Sequence, residues 1–493
     1  MKRFSHTSLL LPLFSGVLLA LTLPAFGLWP LVWVALVPYL VFIKSERHVS
    51  RLVAGTLIFA LPYALCAAQP LLKIGDWWWV LGAGAYPLTR TLLYGGGVFL
   101  LALWGSLFFL PFTFFFARYR ASRYAIPLTA FFFVLTEYFR STVTLMGFSW
   151  GVVGYTLLDT HYLKFIAHPF TVYALSLLVI AVNLFVAFFV THDSFHWNGA
   201  RFVGILKRML FSSRERWGYC FVPLLFIAAF CYGHYREAHL PCLASSMHVT
   251  AIGSMIPTIE SFGEGSYRFY RSALLKELAE SPDVVLLPEN SLPYFEIVER
   301  DGSLNPNSLI PLPQREELYK DLLHISSLYP HATIAIGLHT IEGHDRYNSL
   351  VFFKGGAPVS YYHKRKLIPF AEYTPFASPV SVIVPFRKGA NDQPLSIDGH
   401  RVGALICSEV GDTSLTLSGS EIILISANDS VFDFGGAALV HQDMARMRAL
   451  ENGAYVLRAA KGGFTSVIAP DGRVIERSSG DTITATIGGS CDK

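Results

Sequence analysis

Three side chains with complementary chemistry follow short apolar runs in the second half of the sequence. Glu289 ends "DVVLLPE", Lys364 lies in "YYHKRKLIPFAEY", and Cys407 ends "RVGALIC". Cysteine reacts as its thiolate, which needs a base or positive surroundings to form at neutral pH. A carboxylate can accept the thiol proton, and an ammonium group stabilises the thiolate and the oxyanion of a tetrahedral intermediate. The three residue types together suit nucleophilic catalysis through cysteine.

Each of these residues also has a structural explanation when it is considered alone. A single cysteine is most often a buried small hydrophobe. Glu289 is followed by Asn and Ser and is compatible with a helix cap, and Lys364 belongs to a charged "HKRK" run. The case for a nucleophile rests on the three residues as a set.

The apolar runs that precede them have the length and the β-branched composition of strands. The runs are "HVTAIG", "DVVLLP", "ATIAIGL", "SLVFF", "RVGALIC", "EIILISA" and "TSVIAP". Helical stretches, such as 267–280 and 441–452, separate some of them, which predicts an α/β domain. Because open α/β sheets place their chemistry at strand ends, all three residues are well placed. The sequence has no glycine-rich nucleotide loop, which argues against nucleotide-driven chemistry.

The first half of the sequence has a different composition. The 493 residues are 53% hydrophobic and only 15% charged, where a soluble domain has about a quarter charged residues. The excess lies in residues 1–233, which predicts a transmembrane domain there and a globular domain over 234–493. The net charge of +4 and the lack of a basic block exclude a nucleic-acid partner.

A membrane-spanning helix needs about 20 mostly apolar residues. The candidates are 9–27, 28–43, 52–70, 97–117, 124–139, 166–190 and 217–233. The run 77–93 is either a further span or an interfacial segment. Seven spans with a cytoplasmic N-terminus place every cluster of Lys and Arg inside, which puts 234–493 outside the cytoplasm. A cleaved signal peptide over 1–27 is the alternative for the first span.

The six cysteines predict neither a metal site nor a disulfide framework. None forms a CxxC pair or has zinc-type spacing with histidine. A Cys242–Cys491 bridge is conceivable in an extracytoplasmic domain.

Several motifs together resemble the carbon–nitrogen hydrolase (nitrilase) superfamily. "LLPENSLP", "YHKRKLIPFAEYTPF" and "ICSEV" are similar to its Glu, Lys and Cys motifs, and "HQDMARMRALENGAYVLRAAKGGFTSVIAPDGRV" to its closing segment. With "LPAFGLWPLVWVALVPYL" and "TEYFRSTVTLMGFSWGVVGY" in the apolar half, the resemblance is to the apolipoprotein N-acyltransferase family. It implies a multi-span helical domain followed by an α-β-β-α sandwich.

The resemblance also implies roles for individual residues. Glu289 corresponds to the base, Lys364 to the oxyanion lysine and Cys407 to the nucleophile, and no cofactor or metal is expected. Glu372 and Glu409 correspond to supporting carboxylates. Each of these two either orients Lys364 or the incoming amine, or holds the loops at the strand ends.

The activity that the resemblance implies is acyl transfer at a membrane. A fatty acyl chain would pass from a phospholipid, through a thioester on the cysteine, to the N-terminal amine of diacylglyceryl-cysteine in an apolipoprotein. The site would lie on the periplasmic side of a bacterial inner membrane, with apolar loops such as 290–296 and 368–380 entering the lipid. The alternative is a membrane-tethered amidase or nitrilase that uses the same triad, and a catalytically silent scaffold is a further one.

The sequence departs from the family pattern at several positions. Ala371 replaces the glycine of "PFGE", Ser408 the aromatic residue after the nucleophile, and Val431 the tryptophan of "ND-x-WF". "NNG" appears as "AKGG". No final transmembrane helix precedes Lys493, so we expect one side of the membrane cleft to be open or filled otherwise.

Overall fold

A computed structural model describes the two halves of the chain as separate compact units, Met1–Ala238 and His239–Lys493. The described residues are 9–69, 71, 87–143, 147, 149–191, 216–241, 243, 245–256, 263–308, 313–369, 371–375, 385–390, 395–417, 419–432 and 436–489. Cys242 and Cys491 lie outside these ranges, as do 77–86 of the ambiguous run.

The first unit is helical. Its α-helices are Leu10–Ala20, Val37–Ser45, Val49–Ala68, Pro87–Leu107, Phe109–Tyr119, Ala125–Tyr138, Ala167–Phe170, Val172–Val190 and Arg216–Ala238. Shorter 3-10 turns cover Trp29–Trp33, Val153–Leu157 and Leu163–Ile166, and a π-helical turn covers Phe139–Val143.

Three helical segments among the described residues are long and apolar enough to cross a membrane. They are Val49–Ala68, Gly95–Tyr119 and Val172–Val190. The predicted first and second spans contain shorter helices, Leu10–Ala20 and Val37–Ser45. The run 97–117 is shared by two consecutive helices, so apolar composition located these segments better than it gave their lengths.

Buried polar side chains join the helices of this unit. Asn183, which is fully buried, donates to the carbonyl oxygen of Val32 at 2.8 Å and accepts from the amide of Leu36 at 2.9 Å. The hydroxyls of Thr56 and Thr113 lie 2.9 Å apart. Because an unpaired polar group in an apolar interior is costly, these bonds favour one arrangement of the helices.

The second unit contains fourteen described strands in two sheets. Strands β1–β7 are Met247–Ala251, Val284–Leu286, Glu296–Val298, Ser303–Leu304, Thr333–Glu342, Asp345–Lys354 and Ala357–His363. Strands β8–β14 are Leu395–Ile397, His400–Ile406, Ile422–Asn428, Tyr455–Lys461, Phe464–Ile468, Val474–Ser479 and Ile483–Ile487.

The first sheet has the order β14-β1-β2-β5-β3-β4, with β6 paired to β5 and β7 to β6. The second sheet has the order β13-β12-β11-β10-β9-β8. Two of the strands that precede the candidate residues pair in parallel with their neighbours. Strand β2 is parallel to β1 and β5, and strand β9 is parallel to β10.

Alternation of side chains along the strands builds two apolar layers. Val284 and Leu286 point to the layer between the sheets, where they meet Val402 and Leu424 of the second sheet. The intervening Val285 belongs to a second layer, which is covered by helices Glu264–Leu278 and Arg315–Leu328. Helix Gly436–Asn452 packs on β11 and β12. This arrangement confirms the predicted α-β-β-α sandwich.

Candidate active site

Glu289, Lys364 and Cys407 lie directly after strands of both sheets. Lys364 follows β7 immediately, Cys407 follows β9 immediately, and Glu289 is three residues beyond the end of β2. All three are buried, with exposed fractions of 5%, 1% and 5% respectively. The two sheets must therefore pack correctly before the three side chains can meet.

Lys364 is surrounded by carboxylates. Its Nζ lies 3.4 Å from Oε1 of Glu289 and 2.9 Å from Oε1 of Glu372. Burial alone would lower the pKa of Lys364, but the charges of Glu372 and Glu289 outweigh burial and raise it well above its usual range. The lysine is therefore a permanent cation at neutral pH.

The thiol of Cys407 is neutral in the resting site. Burial raises its pKa well above the usual range, the charge of Glu289 raises it further, and Lys364 opposes both effects. A protonated thiol close to a carboxylate is placed for proton transfer when a substrate arrives. The Sγ atom makes only a weak contact, at 4.0 Å, with the carbonyl oxygen of Asn428.

Two residues of the site have left-handed backbone conformations. Cys407 has φ 49° and Asn290, which follows Glu289, has φ 52°. Residues other than glycine adopt this region at a cost of about 1 kcal/mol, so the surrounding contacts must hold them there. For Cys407 the sharp turn lets the side chain leave the end of β9.

Glu409 provides part of that restraint. Its Oε1 accepts from the backbone amides of Arg365 and Lys366 at 2.6 and 3.0 Å, and its Oε2 from the amide of Ile406 at 2.8 Å. The hydroxyl of Tyr362 also donates to Oε2, at 2.9 Å. Glu409 thus fastens the turn after β7 to the turn after β9, whereas Glu372 bonds Lys364 directly.

The sequence reasoning did not find Asn348, which lies on β6. Its Nδ2 donates to Oε1 of Glu289 at 2.8 Å and to Oε1 of Glu372 at 2.9 Å, and its backbone carbonyl oxygen accepts from the backbone amide of Lys364 at 2.8 Å. Asn348 therefore fixes both carboxylates. The sequence contains only a weak indication of Asn348: in "RYNSLVFF" it is an amide side chain at the start of a buried apolar run.

The turn after β9 is also held from helix Gly436–Asn452. Arg448, only 3% exposed, donates to the carbonyl oxygen of Val410 at 3.0 Å and to that of Asp412, and pairs with Glu451 at 3.2 Å. The "MARMRALE" run, one of the motifs of the family resemblance, thus supplies a buried support for the loop of Cys407.

The segment 290–296 does not match the lipid-entering loop that was expected. Leu292, Tyr294 and Phe295 are buried, with at most 1% exposure, and pack in the layer beneath the two helices of the first sheet. The expectation was wrong because an apolar segment can meet its own core as readily as lipid. Residues 370 and 376–380 of the second expected loop lie outside the described residues.

A close backbone approach explains Gly337 on β5. A methyl group there would lie 2.6 Å from Cα of Glu289 and 2.6 Å from the carbonyl oxygen of Pro288. Ser426 of the second sheet donates to the carbonyl oxygen of Leu287 at 2.9 Å in the same region. No Cβ fits between these backbones, so only glycine allows Glu289 its present position.

We expect Gly337→Ala to displace Glu289. Overpacking of this kind costs about 1–3 kcal/mol, and we expect at least about a tenfold slower alkylation of Cys407 by iodoacetamide at pH 7. Gly265→Ala is the matched control, because a methyl group there has no neighbour within 4 Å. An alkylation rate in Gly337→Ala equal to that of the control would contradict this account of the site.

Comparison with known proteins agrees with this architecture. Residues 272–491 match the carbon-nitrogen hydrolase family, and residues 15–185 match the apolipoprotein N-acyltransferase N-terminal domain. A carbon-nitrogen hydrolase superfamily protein of known structure from Xanthomonas campestris is 19% identical, with a TM-score of 0.36 over 49% of this chain and 91% of its own. The family match over 272–491 identifies the second unit as a carbon–nitrogen hydrolase domain.

Relatives that match nearly the whole chain extend this conclusion to both units. An apolipoprotein N-acyltransferase of Aquifex aeolicus is 27% identical over 492 residues, which is 96% of this chain and 96% of the relative. One of Geobacter metallireducens is 26% identical over 94% of this chain and 86% of the relative. Both units of this chain are therefore similar to those of apolipoprotein N-acyltransferases, over nearly its whole length.

Proposed function

We propose that this protein transfers a fatty acyl chain from a phospholipid to the N-terminal amine of diacylglyceryl-cysteine in apolipoproteins. The observation that carries the proposal is the buried group of Glu289, Lys364 and Cys407 in a chain whose other unit has helices long and apolar enough to span a membrane. Both substrates are lipids, which suits such a chain. The names of its relatives support the same reaction.

The first half-reaction acylates the cysteine. Glu289 accepts the proton of the Cys407 thiol, and the thiolate attacks the sn-1 ester carbonyl of the phospholipid. The oxyanion forms beside the ammonium group of Lys364, which stabilises it. The C–O bond then breaks, Glu289 returns its proton to the departing lysophospholipid oxygen, and a thioester remains on Cys407.

The second half-reaction moves the acyl chain to nitrogen. The free α-amine attacks the thioester carbonyl and transfers its proton to Glu289. The C–S bond breaks, an amide forms, and the proton returns to the thiolate of Cys407. Each half-reaction returns Glu289 to its ionised state, as a ping-pong mechanism requires.

We further propose that the catalytic unit lies on the periplasmic side of a bacterial inner membrane. The clusters of Lys and Arg support this orientation, because an excess of positive charge marks cytoplasmic loops. The clusters are those at Lys2 and Arg3, at Lys44 to Arg51, at Arg118 to Arg123 and at Arg201 to Arg216.

The function is tested with the full chain in vesicles that contain a phospholipid labelled in its sn-1 chain. We expect mass spectrometry to find the labelled acyl group on Cys407 and hydroxylamine to remove it. Addition of a diacylated lipopeptide should discharge the adduct and yield an N-acylated product.

The matched control is the same lipopeptide with its α-amine acetylated, which should leave the adduct intact. Release of the label as free fatty acid, with the lipopeptide unchanged, would instead show that water is the acceptor. That result favours the hydrolase alternative and would overturn the acyltransferase proposal.

A further inference from the structure

A second buried lysine approaches the site from the second sheet. Lys461 is the last residue of β11 and is fully buried, and its register partner on β10 is Asn428. Its Nζ donates to the carbonyl oxygen of Asn290 at 2.6 Å. The side chain therefore crosses the space between the sheets and ends on the residue that follows Glu289.

The acceptor of this bond, the carbonyl oxygen of Asn290, belongs to the turn that carries Glu289. Asn290 has the left-handed φ of 52°, a conformation that asparagine adopts more readily than most L-residues and that hydrogen bonds to its backbone help to hold. A hydrogen bond from an ammonium group to a buried carbonyl oxygen is among the stronger ones available in a protein. Lys461 therefore restrains the backbone from which the Glu289 carboxylate extends.

Lys461 also brings charge to the site. Burial lowers its pKa to about 7, and the nearby Glu289 carboxylate opposes part of that effect. Lys364 and Cys407 interact with Glu289 as well. Asp429, which follows Asn428, has its carboxylate bonded to Arg458 at 2.6 Å and His441 at 2.9 Å. The Glu289 carboxylate is thus a charge partner of Lys461.

We propose that Lys461 is a positioning residue that fixes the Glu289–Asn290 turn and brings a positive charge to the side of the site where the Glu289 carboxylate lies. The inference rests on the proposed role of Glu289 as the base. It also gives a meaning to one departure from the family pattern, because Lys461 lies in the "AKGG" that replaces "NNG". The lysine at this position thus contacts the turn that carries the proposed base.

The test is the pH dependence of Cys407 alkylation by iodoacetamide in the full chain. In Lys461→Met we expect the acid limb of the profile to move about one pH unit upward, which is about tenfold slower alkylation at pH 6. At pH 8 the lysine of the wild type is mostly neutral, so we expect a difference smaller than about tenfold there, and this remainder reports the lost hydrogen bond to Asn290. Lys354→Met, at an exposed ion pair with Asp398, should leave the profile unchanged.

Further variants separate this inference from the proposed function. Lys461→Gln keeps a donor without the charge and must show the same shift, and thermal unfolding checks that both variants fold. In an E289Q background, Lys461→Met should have no further effect on the profile. A wild-type profile in Lys461→Met, with alkylation lost in E289Q, overturns the role of Lys461 alone. A wild-type profile in E289Q overturns the proposed base, and the role of Lys461 with it.

Discussion

Cys407→Ala should bind both lipids but form no acyl-enzyme and no N-acylated product. Loss of a covalent nucleophile removes the whole two-step path, so we expect the rate to fall by at least about 10⁴-fold. The variant should fold, because alanine keeps the same left-handed strain and leaves only a small cavity, at a cost of about 1 kcal/mol.

The measurement is the adduct mass at residue 407 together with the yield of N-acylated lipopeptide. Cys231→Ala is the matched control, since Cys231 is an exposed free cysteine of the other unit. Its adduct and yield should equal those of the wild type. N-acylation by Cys407→Ala at the normal rate would remove this cysteine from the mechanism.

The second large effect is expected for Lys364→Met, which keeps the length of the side chain and deletes its charge. The oxyanion loses its cation, and we expect acyl-enzyme formation to slow by about 10²–10³-fold. Glu289 and Glu372 would also face each other without a counter-charge. Breaking a buried ion pair in this way costs about 3–5 kcal/mol of unfolding free energy.

The pH dependence of that stability loss follows from the direction of the lysine's pKa shift. The folded pKa lies well above the ordinary 10.5, so the stabilisation is fully present below about pH 10 and is lost only as pH rises through the folded value. The difference in unfolding free energy between wild type and Lys364→Met should therefore be constant between about pH 6 and pH 9.

Lys366→Met is the matched control for this variant. Its side chain is 37% exposed and pairs with Asp412 at 3.0 Å, so screening by solvent limits its contribution to about 0–1 kcal/mol. We expect acyl-enzyme formation in this variant to change less than about twofold. Equal losses in the two variants would show that the general charge of the "HKRK" run matters, and not Lys364 itself.

The sequence was most informative where chemistry and strand ends coincide. Short β-branched runs indicated the sandwich, and residue types together with a family resemblance indicated Glu289, Lys364 and Cys407. The contacts of Asn348, Gly337 and Lys461 depend on strand register and on the packing of one sheet against the other. A local pattern does not contain that information.

The error over 290–296 has a different cause. Apolar side chains such as Leu292 and Phe295 are transferred out of water with similar gain into lipid or into a protein core. Composition therefore identifies such a segment as apolar without identifying what covers it. The sequence also left two roles open for Glu409, which could orient an amine or hold a loop. Its four hydrogen-bond donors lie in the turns after β7 and β9 and at the ends of these strands, so its carboxylate joins the two turns.

The left-handed backbone of Cys407 has a consequence for how stable this enzyme can be. Only glycine would occupy φ 49° without penalty, yet glycine has no sulfur to carry an acyl chain. Under the proposed mechanism, the domain therefore keeps a residue that lowers its unfolding free energy by about 1 kcal/mol, because the same residue carries the acyl chain. Glycine at position 407 would raise the unfolding free energy but remove the thiol, so stabilising substitutions must be sought elsewhere in the sandwich.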